Sequence, residues 1–465
     1  MTQVTLLPLL ERELGAARVL ASDRAARYGQ DESNLGSFPP DAVVLAETRE
    51  EVALVLRLAA ERGVPVVPRG AGTGMTGGAL ATEGGIVLST ERMTRIKEID
   101  RESLIAVVEP GVITGTLQEA VEDLGLFYPP DPASLSMCSL GGNVAENAGG
   151  PRAFKYGVTR EYVLGLEVVL PGGQVLRPGR RTAKGVTGYD VTALFVGSEG
   201  TLGITTEVTL KLLPLPAAVG TLLALFRDVH AASLAVTSII GAGHRPRALE
   251  LLDATALDHV RPKSQFPIPP EARAAVLIEV DGEPEAIEPT CVRIGQVCER
   301  AGAYEVILAK DEKDRRQLWH ARRIVSSSLK EAHRWKLSED VAVPRGAMPV
   351  LIDRVHEIGK RHGLGMASYG HAGDGNLHVN VLSERAREED GVKDHVRAAV
   401  ADVFRETLAL GGTLSGEHGI GLAKRDYVAW EQAPELIEFQ RKLKALCDPQ
   451  NLLNPGKMLP VGHRE

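Results

Sequence analysis

Cysteine is scarce: Cys138, Cys291, Cys298 and Cys447 are the only four in 465 residues. No two of them stand in a C-x-x-C pair. That argues against a zinc ribbon, a thioredoxin-type site or an iron–sulfur cluster, and reduced thiols in a cytosolic protein are the plain reading. Long apolar runs are missing too. The most apolar stretch, Ala217–Phe226, falls short of the roughly 18–20 residues that span a bilayer and reads as a buried strand. A basic stripe is also absent. The formal net charge is −8, so non-specific nucleic-acid binding is not expected. The opening MTQVTLLPLLERELG lacks a basic n-region and a small-residue cleavage site. It reads as a short amphipathic helix rather than a signal peptide.

What is present is the balance of a globular protein, with 44% hydrophobic and 25% charged residues, over a length that suits two or three domains. Residues 41–113 read as alternating strands and helices. DAVVLAE is a strand, and Thr48 with Glu51 forms a capping box. Val52, Val55, Leu56 and Ala59 then line one helix face as far as Gly63. VPVVPR is a buried strand. Thr116 and Glu119 predict a second capping box, followed by Leu117, Ala120, Val121 and Leu124 and ended by Gly125. Residues 126–153, dense in Gly, Pro, Ser and Asn, read as a long functional loop. Residues 162–212 return to strands such as LGLEVVL. A second unit begins near Pro214. Its strands GTLLALF, AAVLIEV and YEVILA and a long helix over 312–334 predict an antiparallel sheet with helices on one face.

Three glycine-rich loops stand out. PRGAGTGMTGGA follows a strand and holds Gly70, Gly72, Gly74, Gly77 and Gly78, with Gly84 and Gly85 beyond. Glycine lets backbone N–H groups turn toward an anion, and a diphosphate is the natural guest. Gly72–Gly77 fits G-x-G-x-x-G, but a Rossmann loop must open a helix, and GGALATEGGIVLST is too broken for one. A P-loop needs G-K-[ST], which is absent. A tight turn without a ligand is the plain reading of one such loop alone. SLGGNVAENAGG at 139–150 and GSEGTLGI at 197–204 change that, since three such loops in one domain point to an extended cofactor.

Most of the twelve histidines, among them His230, His259, His356 and His463, sit in polar helical or terminal contexts and read as surface residues. SYGHAGDGNLHVNVL differs. His371 and His378 flank a turn that brings two imidazoles together, and TLSGEHGIG adds Glu417 and His418. Zinc, manganese or iron suits such donors, and a hydrogen-bonded turn without metal remains equally open from the residues alone. Asp374 reads as a turn-former. In LWHARR, Arg322 and Arg323 lie on a helix and face different ways.

These motifs resemble the vanillyl-alcohol-oxidase superfamily, whose FAD domain is of the PCMH type. PRGAGTGMTGG, PPDPAS with GGNVAENAGG, KYGVTREYVLGLEVVLPGG and VTGYDVTALFVGSEGTLGI follow the family's order, and the similarity runs from about residue 20 to 460. The 2-hydroxy-acid branch, which includes the glycolate oxidase large subunit, FAD-linked D-lactate dehydrogenase and D-2-hydroxyglutarate dehydrogenase, is the nearest. The resemblance implies an α+β chain: a two-part FAD-binding domain over 37–215 behind an N-terminal helical segment (1–36). A ferredoxin-like substrate domain with a metal site follows (216–440), then a C-terminal segment returning to the FAD domain (441–465).

By the same resemblance, Arg69, Gly70, Ala71, Gly72, Thr73, Gly74, Thr76, Gly77 and Gly78 wrap the diphosphate through the main chain. Gly141, Gly142, Asn147, Gly149 and Gly150 line the flavin. Glu199, Gly200, Gly203 and Ile204 lie at the adenine–ribose end or the ring edge, and Asn454, with Lys457, belongs to the closing motif NLLNPGKML. Residues 68–79 hold neither His nor Cys and Cys138 is a remote candidate, so FAD is expected to be non-covalent. His371, His378 and Glu417 would bind a divalent metal, zinc by first choice, with His418 as base. Arg322 would clamp the substrate carboxylate, helped by Ser326 and Asn380. Lys336 stands at the wrong spacing from Pro344 for the second-carboxylate lysine of the 2-hydroxyglutarate enzymes.

The expected activity is FAD-dependent oxidation of a small D-2-hydroxy acid, D-lactate or glycolate. The electron acceptor would be a quinone, a cytochrome or an electron-transfer flavoprotein. D-2-hydroxyglutarate dehydrogenase and the FAD subunit of a multi-chain glycolate oxidase are the alternatives. A non-catalytic FAD-binding scaffold is a third reading, which the intact His/Glu set opposes. The expected setting is cytoplasmic, with no nucleic-acid partner, no transmembrane segment, and contact at the inner membrane face left open.

Overall fold

The computed structural model describes residues 6–460, so His463 and the first residues of the opening helix, 1–5, lie outside the described residues. The rest of that helix forms as Leu6–Leu14, burying Leu6 and Leu10. Among the described residues no helix is long and apolar enough to cross a membrane. The chain forms two compact units: residues 1–149, 157–215 and 417–465 in the first, residues 150–156 and 216–416 in the second. It re-enters the first unit at Glu417, earlier than the expected 441.

The first unit carries two main sheets. In the four-stranded one, Ala42–Leu45 and Val66–Arg69 both run parallel to Ile86–Ser89, and Val19–Ala21, from the supposedly helical N-terminal segment, adds an antiparallel edge. The other is a five-stranded antiparallel sheet centred on Ile204–Lys211. Helix Arg49–Arg62 begins where Thr48 Oγ1 accepts the Glu51 N–H and ends at left-handed Gly63. Glu51 does not close the expected box. Its carboxylate accepts the N–H of Glu47 at 2.8 Å and pairs with Arg18. The apolar stripe at Val52, Val55, Leu56 and Ala59 enters the core.

The second capping box is not formed. That helix spans Thr114–Glu122 from an Ile113 cap, so Thr116 lies inside it and cannot cap it, while Thr114 Oγ1 bonds the Cys138 carbonyl and Asn143. The long loop over 126–153 is also interrupted. Ser139 caps a helix over Leu140–Glu146 that ends at Asn147 in the left-handed region. All four cysteines are free thiols. Cys138 is buried on Thr114, and burial pushes the Cys291 and Cys298 thiols up to about 11 and about 12.

The second unit is a seven-stranded antiparallel sheet. The three predicted strands form as Ala218–Phe226, Ala274–Gly282 and Glu305–Leu308. Helices cover both faces rather than one. Leu223 and Leu225 join a core with helices Ala254–Val260 and Glu312–Arg323. From the opposite face of the same strand, Gly220 approaches Ile287 and Cys291 of helix Pro284–Arg300. Successive strand residues point to opposite faces, and here both are apolar and buried. The predicted helix over 312–334 is broken at Ile324 into Glu312–Arg323 and Val325–Ala332. Ser327 Oγ donates back to the Ile324 carbonyl at 3.1 Å, a bond that bends helices. The apolar stripe of Leu318, Ala321, Val325 and Leu329 continues across the bend.

Candidate active site

In the first unit, strand Val66–Arg69 delivers the first glycine loop. Among the described residues, the N–H groups of Gly70 through Gly78 donate to no protein acceptor. Consecutive unpaired donors of this kind form an anion nest, which fits a diphosphate. At Gly72 φ is +75°, in the left-handed region that favours glycine. The Arg69 side chain is turned onto Gly72 and the Tyr28 carbonyl.

The second loop is the start and end of helix Leu140–Glu146. Ser139 accepts the Gly142 N–H, while Asn147 Oδ1 accepts the Arg160 N–H at 2.9 Å. In the third loop Gly200 and Gly203 pack against Pro68 and Val168, and Ile204 is a core residue. Asn454 ties two loops together. Its Nδ2 donates to the Gly78 carbonyl at 3.0 Å and the Glu199 carbonyl at 2.8 Å, while Lys457 donates to Asn454 Oδ1 and to Leu80 O. Burial lowers Lys457 to about 8.

Glu199, expected at the cofactor, stands in a buried carboxyl pair whose other member, Glu146, the sequence reading did not single out. Glu199 accepts the N–H groups of Ile420 and Gly421 at 2.7 and 2.6 Å, and those bonds favour its anion. Glu146 has no such support: its Oε2 is buried without a partner. Burial, then Glu199, push its carboxyl well above the usual carboxylate range. Glu417 and His418 also belong to this unit, where Thr76 Oγ1 donates to the His418 carbonyl at 3.2 Å.

In the second unit the polar residues gather on one sheet face. Tyr369↔His378 pairing turns strands Gly365–His371 and Asn376–Ser383 into a hairpin. The His371 and His378 rings stand 5.2 Å apart, edge to face. Asp374 Oδ1 accepts the Asn376 N–H in the turn, as its turn-forming role requires. His371 Nδ1 meets Glu250 Oε1 at 2.6 Å, and Arg322 Nε donates to Glu250 Oε2 at 2.6 Å. Burial works against the Glu250 anion, but His371 and Arg322 outweigh it and hold its carboxyl at about 2. Glu250 was not among the expected site residues. Its signal was a single charge inside the apolar run ALELL.

Arg322 is thus bound first to a protein carboxylate through Nε, with its guanidinium 4.8 Å from the Tyr369 ring centroid. Lys336, set aside on spacing, donates to Ser326 Oγ at 2.7 Å and Asn380 Oδ1 at 3.2 Å. Burial and then Lys330 lower it to about 8. Asn380 is fully buried and spends its Nδ2 on the Ala367 and His378 carbonyls. Asp340, opposite His378 in register, accepts from Asn376, Ser415 Oγ and the Gly416 N–H. It therefore anchors the chain one residue before Glu417. Gly150 lies in this unit, separated from Gly149. Two histidines expected at the surface are partnered and partly covered: His356 faces Asp253, and His259 faces His333. His230 is exposed beside Asp353.

Residues 40–179 match the family described as FAD binding domain, and residues 215–458 match FAD linked oxidases, C-terminal domain. The chain belongs to the FAD-linked oxidase family. Among its relatives, glycolate oxidase subunit GlcD of Bacillus subtilis is 42% identical over 94% of this chain and 93% of its own. D-lactate dehydrogenase of Anaerostipes hadrus is 35% identical over 96% of each chain. D-2-hydroxyglutarate dehydrogenase of Stutzerimonas stutzeri is 32% identical over 98% of this chain and 99% of its own. The fold is that of p-cresol methylhydroxylase, with a TM-score of 0.84 at 18% identity over 99% of this chain and 97% of the other. This FAD-linked oxidoreductase therefore has the PCMH-type architecture expected from its motifs.

Proposed function

We propose that the enzyme oxidises a small D-2-hydroxy acid, D-lactate or glycolate, to the 2-oxo acid. The charge count in the second unit carries the choice of substrate. Arg322 is paired with buried Glu250, whereas the hydrogen-bond partners of Lys336 are the neutral Ser326 and Asn380. One uncompensated cation suits one carboxylate, and a second buried carboxylate would need another. Relatives named for glycolate, D-lactate and D-2-hydroxyglutarate share the 2-hydroxy-acid unit, which supports the substrate class. D-2-hydroxyglutarate remains the alternative if Arg322 Nη atoms serve a second carboxylate.

Bound FAD would supply a hydride acceptor for the α-hydrogen, and a divalent cation, zinc by first choice, would supply a Lewis acid for the substrate hydroxyl. The donor set fits such an ion. His371 is oriented through Nδ1 by Glu250, as metal-ligating imidazoles are oriented by a carboxylate. His378 and Glu417 would complete the set. His418 would take the hydroxyl proton. Lys336 and Arg322 would hold the carboxylate, with Ser326 and Asn380 fixing the lysine. Residues 69–74 and 76–78 would hold the diphosphate. Gly141, Gly142, Asn147, Gly149 and Gly150 would line the flavin, and Glu199, Gly200, Gly203 and Ile204 would shape the far end of the cradle.

Electrons would leave to a quinone, a cytochrome or a partner flavoprotein. The subunit naming of the glycolate oxidase relatives supports partner chains, and a cytoplasmic setting, free or at the inner membrane face, suits all three acceptors. The test is His418→Ala. With FAD content unchanged, turnover should fall by about 10²–10⁴. Wild-type turnover would refute the assignment of the base.

A further inference from the structure

His259, on helix Ala254–Val260, and His333, the residue ending helix Val325–Ala332, face each other with Nε2 atoms 3.0 Å apart. Their ring centroids are 5.1 Å apart. Each Nδ1 already has an acceptor. His259 Nδ1 lies 2.8 Å from the Thr255 carbonyl, and His333 Nδ1 lies 2.6 Å from the Glu384 carboxylate. A carbonyl and a carboxylate both require Nδ1 to carry the hydrogen. A neutral imidazole holds only one N–H, so both Nε2 atoms present lone pairs to each other. At 3.0 Å that arrangement is repulsive unless a positive charge lies between them.

We propose that this pair is a binding site for a borderline divalent cation of the zinc, nickel or copper class, distinct from the proposed His371–His378–Glu417 centre. Imidazole nitrogens suit these ions. Both rings already have the carbonyl and carboxylate partners that orient metal-ligating histidines. With Zn–N bonds of about 2.0–2.1 Å, a 3.0 Å separation sets an angle of about 95° at the ion. Opening by a few tenths of an ångström reaches tetrahedral geometry, with solvent as the remaining ligands. The ion would pin helix Ala254–Val260 to the segment that leads into strand Trp335–Ala342, which carries Lys336 and Asp340.

The test is zinc titration of chelator-stripped, full-length protein by calorimetry, comparing wild type with His259→Gln and His333→Gln. Circular dichroism checks the fold of each. Both variants should bind one ion fewer per chain than wild type, and the same loss should appear in a His378→Ala background. Glu384→Gln should keep the ion with about 10–100-fold weaker affinity. Equal stoichiometry in wild type and both glutamine variants would overturn the proposal. So would NMR showing one proton shared between the two rings that zinc does not displace.

Discussion

Lys336 links geometry to a pH dependence. Its ammonium is charged below about 8 and neutral above it. The KM for the substrate anion should therefore climb above pH 8, approaching about tenfold per pH unit, while kcat changes little by this route. Lys336→Met should flatten that limb and raise KM at pH 7. Folding stability should move the opposite way. The unfolded lysine binds its proton up to its ordinary value, so between about 8 and 10.5 the unfolded state holds more protons and stability rises with pH. A parallel loss of stability and binding across that window would show unfolding instead. Glu250→Gln should cost about 3–5 kcal/mol in chemical denaturation, because it leaves Arg322 charged and buried without its anion. The strand alternation of His378 and Asn380 was legible in sequence. Glu250 was not, because its partners lie far along the chain: strand pairing brings in His371, and helix Glu312–Arg323 brings in Arg322.

Local spacing revealed helix ends unevenly. Thr48 was legible because its cap is a contact within three residues, and Thr48→Ala should cost about 1 kcal/mol. The Thr116 box was a false match, since the helix already begins at Thr114 and places Thr116 inside it. The bend at Ile324 escaped notice because the apolar stripe runs through it. The glycine loops were legible as a set and the resemblance pointed to Asn454, but not to the two loops it joins. Asn454 reaches Gly78 and Glu199 from the C-terminal segment. Asn454→Ala should free those two carbonyls, cost about 1–3 kcal/mol of stability, and weaken FAD binding, read as faster flavin release on dilution. Unchanged FAD retention would make Asn454 a purely structural residue.

Over the whole chain, motif order identified the family, while the division into units depended on contacts no motif displays. Residues 417–465 return to the first unit because Ile420 and Gly421 bond Glu199, Leu422 bonds Thr76, and Asn454 bonds Val66. Denaturation should release the flavin into the supernatant, and yellow colour left in the precipitate would contradict non-covalent FAD. The central claim concerns the substrate. The direct measurement is flavin bleaching in the absence of oxygen, with the FAD- and metal-loaded enzyme mixed with D-lactate, L-lactate, glycolate and D-2-hydroxyglutarate. Rapid bleaching by D-lactate or glycolate, and slow bleaching by the dicarboxylate, is the predicted result. Faster bleaching by D-2-hydroxyglutarate than by D-lactate or glycolate, or no bleaching of fully loaded enzyme by any of the four, would contradict the account.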